Sequence, residues 1–123
     1  MPLLTFIVED NPLVLESLCE ALEETGACIT GSAGSASEAI EWLRSHSAGW
    51  RLLIVDLFLV RSSGLDVLEA CRIRAQEQHA VVLSNYATPE VRQLSMALGA
   101  DAVFDKSTEV EELMAYCTAL GAA

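Results

Sequence analysis

A chain of 123 residues is long enough for one domain and too short for two, and an apolar share of 52% can build a full core without disulfide or metal staples. Seven Lys or Arg against 18 Asp or Glu leave a net charge of −11, which excludes a nucleic-acid binder that works by neutralising phosphates. Cys19, Cys28, Cys71 and Cys117 form no C-x-x-C pair and no zinc-like spacing, no signal segment opens the chain, and no apolar stretch reaches the roughly 18 residues of a membrane span, so buried free thiols and a soluble cytoplasmic protein are expected.

Strand and helix patterns alternate five times. The first strand is Leu4 to Val8, followed by a helix with Asn11 as N-cap, Pro12 at its first position and a stripe of Leu15, Leu18, Cys19 and Leu22. Gly26 ends it, and a weakly patterned second strand runs from Ala27 to Gly31. A Ser/Gly-rich turn starts the second helix at Ser35 or Ser37, which continues through Ile40 and Leu43 to His46. Leu52 to Asp56 is the third strand, Leu57 to Ser63 a loop, and Gly64, Val67, Leu68 and Cys71 mark the third helix. Ala80 to Ser84 is the fourth strand. Thr88 caps a helix that begins at Pro89, faces inward with Val91, Leu94 and Leu98, and stops at Gly99. The fifth strand is Asp101 to Phe104. The last helix runs from Thr108 to Leu120, with Thr108 and Glu111 set for a capping box.

Five βα units with short loops imply a parallel sheet between helical layers, and right-handed crossovers favour the order 2-1-3-4-5. Ligands bind such sheets at the carboxyl ends of the strands. Those ends carry Glu9 and Asp10, then Asp56, Ser84 and Lys106. Three carboxylates crowded together ionise comfortably only when a cation joins them. Mg²⁺ suits this oxygen-rich set, with Asp10 and Asp56 as direct ligands, Glu9 acting through a bound water and the main-chain carbonyl of Phe58 as a further position. The remaining groups fit phosphoryl transfer onto a carboxylate. Asp56 is the nucleophile, Lys106 stabilises charge on the transferring oxygens and Ser84 donates its hydroxyl to one of them.

At these residues the chain resembles the receiver domain of two-component response regulators, of the chemotaxis-regulator-like, single-domain kind. The motifs are Val8-Glu9-Asp10-Asn11, Val55-Asp56-Leu57, Ser84-Asn85 and Asp105-Lys106-Ser107, with Gly64 eight residues beyond Asp56. The spacings of 46, 28 and 22 residues between Asp10, Asp56, Ser84 and Lys106 match the family pattern. The resemblance implies a flavodoxin-like (βα)5 three-layer sandwich spanning residues 1–123, with no output domain. It also implies phosphorylation of Asp56 by a sensor histidine kinase or a histidine phosphotransferase. The surface of the fourth helix, fifth strand and fifth helix would then meet a protein target. Neither nucleic acid nor membrane is an expected partner, while a second copy of the chain is admitted.

Three positions depart from the family pattern: Val103 stands where an aromatic is usual, Ser107 where a proline follows the lysine, and Val60 where a proline follows the acceptor. A cis peptide at Ser107 is therefore not expected. Phe58 and Tyr86 lie two residues beyond Asp56 and Ser84, positions that border the path of hydrolytic water in the resembling family, so the resemblance implies slow loss of the phosphoryl group. Turnover on external phosphoesters is not expected, because Phe58 occupies the position where aspartyl-nucleophile phosphatases carry a second acid. Glu9-Asp10 would repel the phosphate of a flavin. The alternative carried forward is a receiver-shaped interaction module that works without phosphorylation.

Overall fold

The computed structural model describes residues 2–122, which hold five strands and five helices. The order is β1 (Leu3–Val8), α1 (Pro12–Glu24), β2 (Ala27–Ala33), α2 (Ala36–Ser45), β3 (Leu52–Val55), α3 (Gly64–Ala70), β4 (His79–Ser84), α4 (Pro89–Ala97), β5 (Ala102–Asp105) and α5 (Val110–Ala122). All strand pairs are parallel, in the order β2-β1-β3-β4-β5. This is the expected flavodoxin-like sandwich.

Because side chains alternate across a strand, the sheet feeds two cores. Phe6, Val8, Leu53, Val55 and Val82 face the side where α2 and α3 pack with Leu43, Val67 and Leu68. Ile7, Leu52, Ile54, Val81 and Phe104 face the other side, under α1 and α5, with Leu18, Leu22, Leu113 and Cys117. The central strands are apolar on both faces, which is why they read as continuous apolar runs. Every helix N-terminus expected to be capped by Asn11, Ser35 or Thr88 is capped by that side chain. Gly26 and Gly99 supply the left-handed residues (φ +93° and +101°) just past α1 and α4.

Several expectations need correction. β2 runs two residues further, to Ala33, because a bulge inserts Thr30 between the pairs Thr5–Ile29 and Phe6–Gly31 and so breaks its pattern. In α4 the inward positions are 91, 95 and 98 rather than 91, 94 and 98. Ser95 is fully buried, and Leu94 is 48% exposed. Both spacings fit a helix, so periodicity alone does not separate them. The Thr108–Glu111 capping box does not form among the described residues. The turn before α5 is closed instead by Glu109, whose N–H donates to the Asp105 carbonyl (2.8 Å) and whose carboxylate accepts the Asp105 N–H (2.9 Å). Cys71 and Cys117 are buried thiols and Cys19 is half-buried, but Cys28 is exposed on the edge strand β2.

Trp50 lies in the core, and Trp42 stacks between Phe6 and His46. Asp101 is more than a surface charge. It pairs with Arg74 (2.7 Å) and accepts the Ala80 N–H (2.9 Å), pinning the start of β4. No cis peptide occurs among the described residues, and no helix among them is long and apolar enough to cross a membrane.

Candidate functional site

The carboxyl ends of β1, β3, β4 and β5 meet at one edge of the sheet, and each delivers the residue the sequence places there. Pairing of β1 with β3 sets Val8 beside Val55, so Glu9 and Asp10 emerge next to Asp56. Pairing of β4 with β5 sets Ser84 beside Asp105, and Lys106 follows; its N–H donates to the Ser84 carbonyl (2.9 Å). Glu9, Asp10 and Asp56 each offer a carboxylate oxygen within 4.8 Å of the other two. Glu9 and Asp56 are buried, at 4% and 7% exposure, and Ser84 is fully buried.

Lys106 bridges the two buried carboxylates. Its ammonium donates to Asp56 Oδ2 at 2.9 Å and to Glu9 Oε1. Burial alone would lower the lysine pKa, but the hydrogen bonds to Glu9 and Asp56 outweigh it and leave the pKa above the ordinary 10.5. Main-chain donors hold the carboxylates in place. The Asn11 N–H donates to Glu9 Oε2 (3.1 Å), the Phe58 N–H to Asp56 Oδ1 (3.0 Å) and the Val60 N–H to Asp10 Oδ2 (2.5 Å). The Tyr86 N–H donates to Ser84 Oγ (3.1 Å), which orients that hydroxyl at the end of β4.

Glu9, Asp10, Asp56 and Lys106 are therefore brought together, with Ser84 at the end of the neighbouring strand β4, and the three carboxylates form a hard-oxygen set of the kind Mg²⁺ prefers. Phe58 also holds the acceptor directly, its N–H donating to Asp56 Oδ1. The sequence reading missed the Asp10–Val60 bond. That residue pair is joined only by the fold of the β3–α3 loop, which an antiparallel bridge between Phe58 and Ser63 closes. Phe58 and Tyr86 meet edge to face, with ring centroids 5.2 Å apart, and stay about half exposed over the strand ends.

Titration of the buried groups sets an alkaline limit on stability. The Lys106 contribution is fully present below pH 10.5 and is lost as pH rises through its raised folded-state pKa. Burial pushes the Cys117 thiol from 9.0 up to about 11, so the unfolded chain ionises first and stability falls with pH across that interval. Urea unfolding over a pH series should show stability declining above about pH 9. A Lys106→Gln variant should keep the thiol part and lose the part above 10.5. Equal decline in both proteins at the top of the range would refute the lysine assignment.

A family model described as the response regulator receiver domain matches residues 5–118. The acid tolerance regulatory protein ActR of Rhizobium meliloti (strain 1021) is 29% identical over 109 residues, covering 89% of this chain and 55% of ActR. The chain thus spans about half the length of the curated relatives it matches. The response regulator domain of Thermotoga maritima CheB superposes with a TM-score of 0.83 at 12% identity, covering 100% of this chain and 98% of that one, a likeness of fold alone. A response regulator protein from Burkholderia pseudomallei, solved with a phosphorylated aspartic acid, a calcium ion and citrate, is 25% identical with a TM-score of 0.77, covering 91% of this chain and 64% of that one.

Proposed function

The chain belongs to the response regulator receiver domain family, and from that premise we propose that Asp56 is its phosphoacceptor. The donor is a phosphohistidine of a sensor histidine kinase or a histidine phosphotransferase. The observation that carries the reading is the bridging of buried Asp56 and Glu9 by Lys106, with Asp10 alongside. A buried carboxylate pair with its own ammonium, opening onto a strand-end edge, is a poor stability device and a good phosphoryl site. The phosphorylated aspartic acid of the Burkholderia protein supports the same chemistry here.

An oxygen lone pair of Asp56 attacks phosphorus, the P–N bond to the donor imidazole breaks, and the nitrogen leaves with the bonding electrons. The carboxylate needs no deprotonation, so no general base is required. Phe58 N–H fixes Asp56 Oδ1, leaving Oδ2 and the Lys106 ammonium on the reacting side. Lys106 neutralises charge on the phosphoryl oxygens, and the Ser84 hydroxyl donates to one of them. Asp10 and Asp56 would hold Mg²⁺ directly and Glu9 through water, with the Phe58 carbonyl as a further ligand. The ion supplies charge neutralisation for the transferring oxygens.

Residues 1–123 form one receiver unit that acts in the cytoplasm through protein contacts or phosphoryl relay, promoting only its own phosphorylation and dephosphorylation. Exposed Tyr86, Leu94 and Met96 make the α4–β5–α5 side the face offered to a target. The test is incubation with Mg²⁺ and acetyl phosphate, followed by intact mass and peptide mapping. One added phosphoryl group in the peptide containing Asp56 is the expected result. No addition with Mg²⁺ bound, and none from a histidine kinase, would leave the phosphorylation-independent module.

The contact between Phe58 and Tyr86 favours a long-lived phosphoryl group, because two rings over the strand ends restrict an in-line water. Phe58→Ser and Tyr86→Ser should each speed phosphate loss several-fold after donor removal, followed by intact mass. An unchanged lifetime in both would make the rings mere cover for the rim.

A further inference from the structure

The strand ends carrying Ser84 and Lys106 are joined by a second network that the phosphoryl chemistry does not itself use. Arg92, in the first turn of α4, spreads its guanidinium over three segments. Nε donates to the Ala87 carbonyl (2.9 Å), Nη1 to the Val103 carbonyl (3.1 Å) and Nη2 to Glu109 Oε1 (2.5 Å). That Glu109 oxygen also accepts the N–H of Asp105 (2.9 Å), the residue before Lys106. Asp105 Oδ1 in turn accepts the N–H (2.8 Å) and hydroxyl (2.5 Å) of Ser107, the residue after it. At the other end, the Tyr86 N–H rests on Ser84 Oγ, one residue before Ala87. The bonds leave the site at Ser84 and return to it at Lys106.

As an ion pair this feature explains little. Both side chains are open to water, at 39% and 31% exposure, where such pairs contribute weakly to stability. Two of the three Arg92 bonds go to main-chain carbonyls, and only the rigid five-donor fork of arginine serves all three acceptors at once. Val103 contributes its carbonyl, a role that no aromatic side chain at that position is needed to fill.

We propose that Arg92, with Glu109, is a positioning pair for phosphoryl capture, locking the β4–α4 and β5–α5 turns so that the Ser84 hydroxyl and the Lys106 ammonium present the spacing a phosphoryl group on Asp56 requires. The inference rests on Asp56 being the acceptor. Small errors in such spacing cost far more in rate than in stability.

The full chain tests it in four forms: Arg92→Ala, Arg92→Lys, Glu109→Gln and the swapped double Arg92→Glu/Glu109→Arg. Phosphoryl uptake from acetyl phosphate is read by intact mass, Mg²⁺ affinity by calorimetry without donor, and stability by urea unfolding. Arg92→Ala should slow uptake about tenfold, while Mg²⁺ affinity stays within about twofold of wild type because the carboxylates keep their own main-chain donors. Arg92→Lys should remain slow, and the swapped pair should not recover, because the Ala87 and Val103 carbonyls still lack their donors. Glu109→Gln, which keeps an acceptor oxygen, should fall between. Unchanged uptake in Arg92→Ala would overturn the inference. So would uptake, Mg²⁺ affinity and stability falling together, or full recovery in the swapped pair. A wild type that takes up no phosphoryl group overturns the acceptor reading instead. Hydrogen exchange then decides the positioning alone: it stands if Arg92→Ala speeds exchange at Tyr86, Asp105 and Lys106, and falls if it does not.

Discussion

Asp56→Asn is expected to reduce phosphoryl uptake from acetyl phosphate to background while leaving the fold in place. The amide matches the carboxylate in shape, and its oxygen can still accept the Phe58 N–H that now bonds Oδ1. What disappears is the anionic nucleophile, and a neutral amide has no lone pair of comparable reactivity to offer phosphorus. Stability should change by no more than about 1 kcal/mol, because two opposing terms are removed together. One is the attraction between Asp56 and Lys106 across 2.9 Å. The other is repulsion among three carboxylates whose oxygens lie within 4.8 Å. Asp10→Asn is the informative companion. It keeps the acceptor and the Lys106 bridge, so it should weaken Mg²⁺ binding and slow uptake without abolishing it. Intact mass after a fixed exposure, with urea unfolding alongside, separates the outcomes. Uptake by the Asp56→Asn variant would move the nucleophile to a neighbouring carboxylate.

The strands were legible because four apolar runs end abruptly on Glu9-Asp10, Asp56, Ser84 and Lys106, a pattern that only a sheet buried on both faces with a polar edge explains. Once crossover handedness restricts the strand order, the site follows from the strand ends, and so do its members. The rest depended on contacts between residues far apart in sequence. Arg92 lies in α4 and Glu109 in the turn before α5, and neither carries a motif; only the packing of α4 beside β5 brings them within hydrogen-bond reach. Val60 N–H finds Asp10 because the β3–α3 loop turns back on itself. In α4, positions 94 and 95 both satisfy helical spacing and hydrophobicity favours Leu94 over Ser95, yet Ser95 is the residue that is buried. The Ser95 hydroxyl is left without a partner, the one such buried side-chain atom among the described residues. That is a local cost that composition cannot reveal. Cys28 was expected inside because cysteine is usually buried, but β2 is an edge strand and its alternate positions face water.

Gly64→Ala is expected to be the most destabilising single-methyl substitution in the chain, by about 3 kcal/mol or more. A Cβ there would lie 2.2 Å from the Asp56 carbonyl oxygen, 2.7 Å from Val55 Cγ1 and 2.8 Å from Leu57 Cα. Two of these three neighbours are main chain, and the third belongs to a fully buried strand residue, so no flexible side chain can swing aside. Relief requires α3 to move away from β3. That movement would break the Gly64 N–H bond to the Leu57 carbonyl (3.0 Å) and pull on the loop whose Phe58 and Val60 N–H groups hold Asp56 and Asp10. A loss of this size should lower the thermal midpoint by roughly 10–15 °C for a domain of this length. Mg²⁺ affinity should drop with it, since the displaced backbone is the one carrying the acceptor. Gly34→Ala is the matched control, because the nearest atom to its new methyl is Asp10 Cα at 3.9 Å and its backbone is not left-handed. It should change stability by no more than about 0.5 kcal/mol, through reduced freedom of the unfolded chain as much as through contacts. Calorimetric melting of both variants, with and without Mg²⁺, measures the difference. A Gly64→Ala protein that melts with the wild type would mean that α3 can stand off from Asp56 at no cost, and that this glycine does not set the acceptor's position.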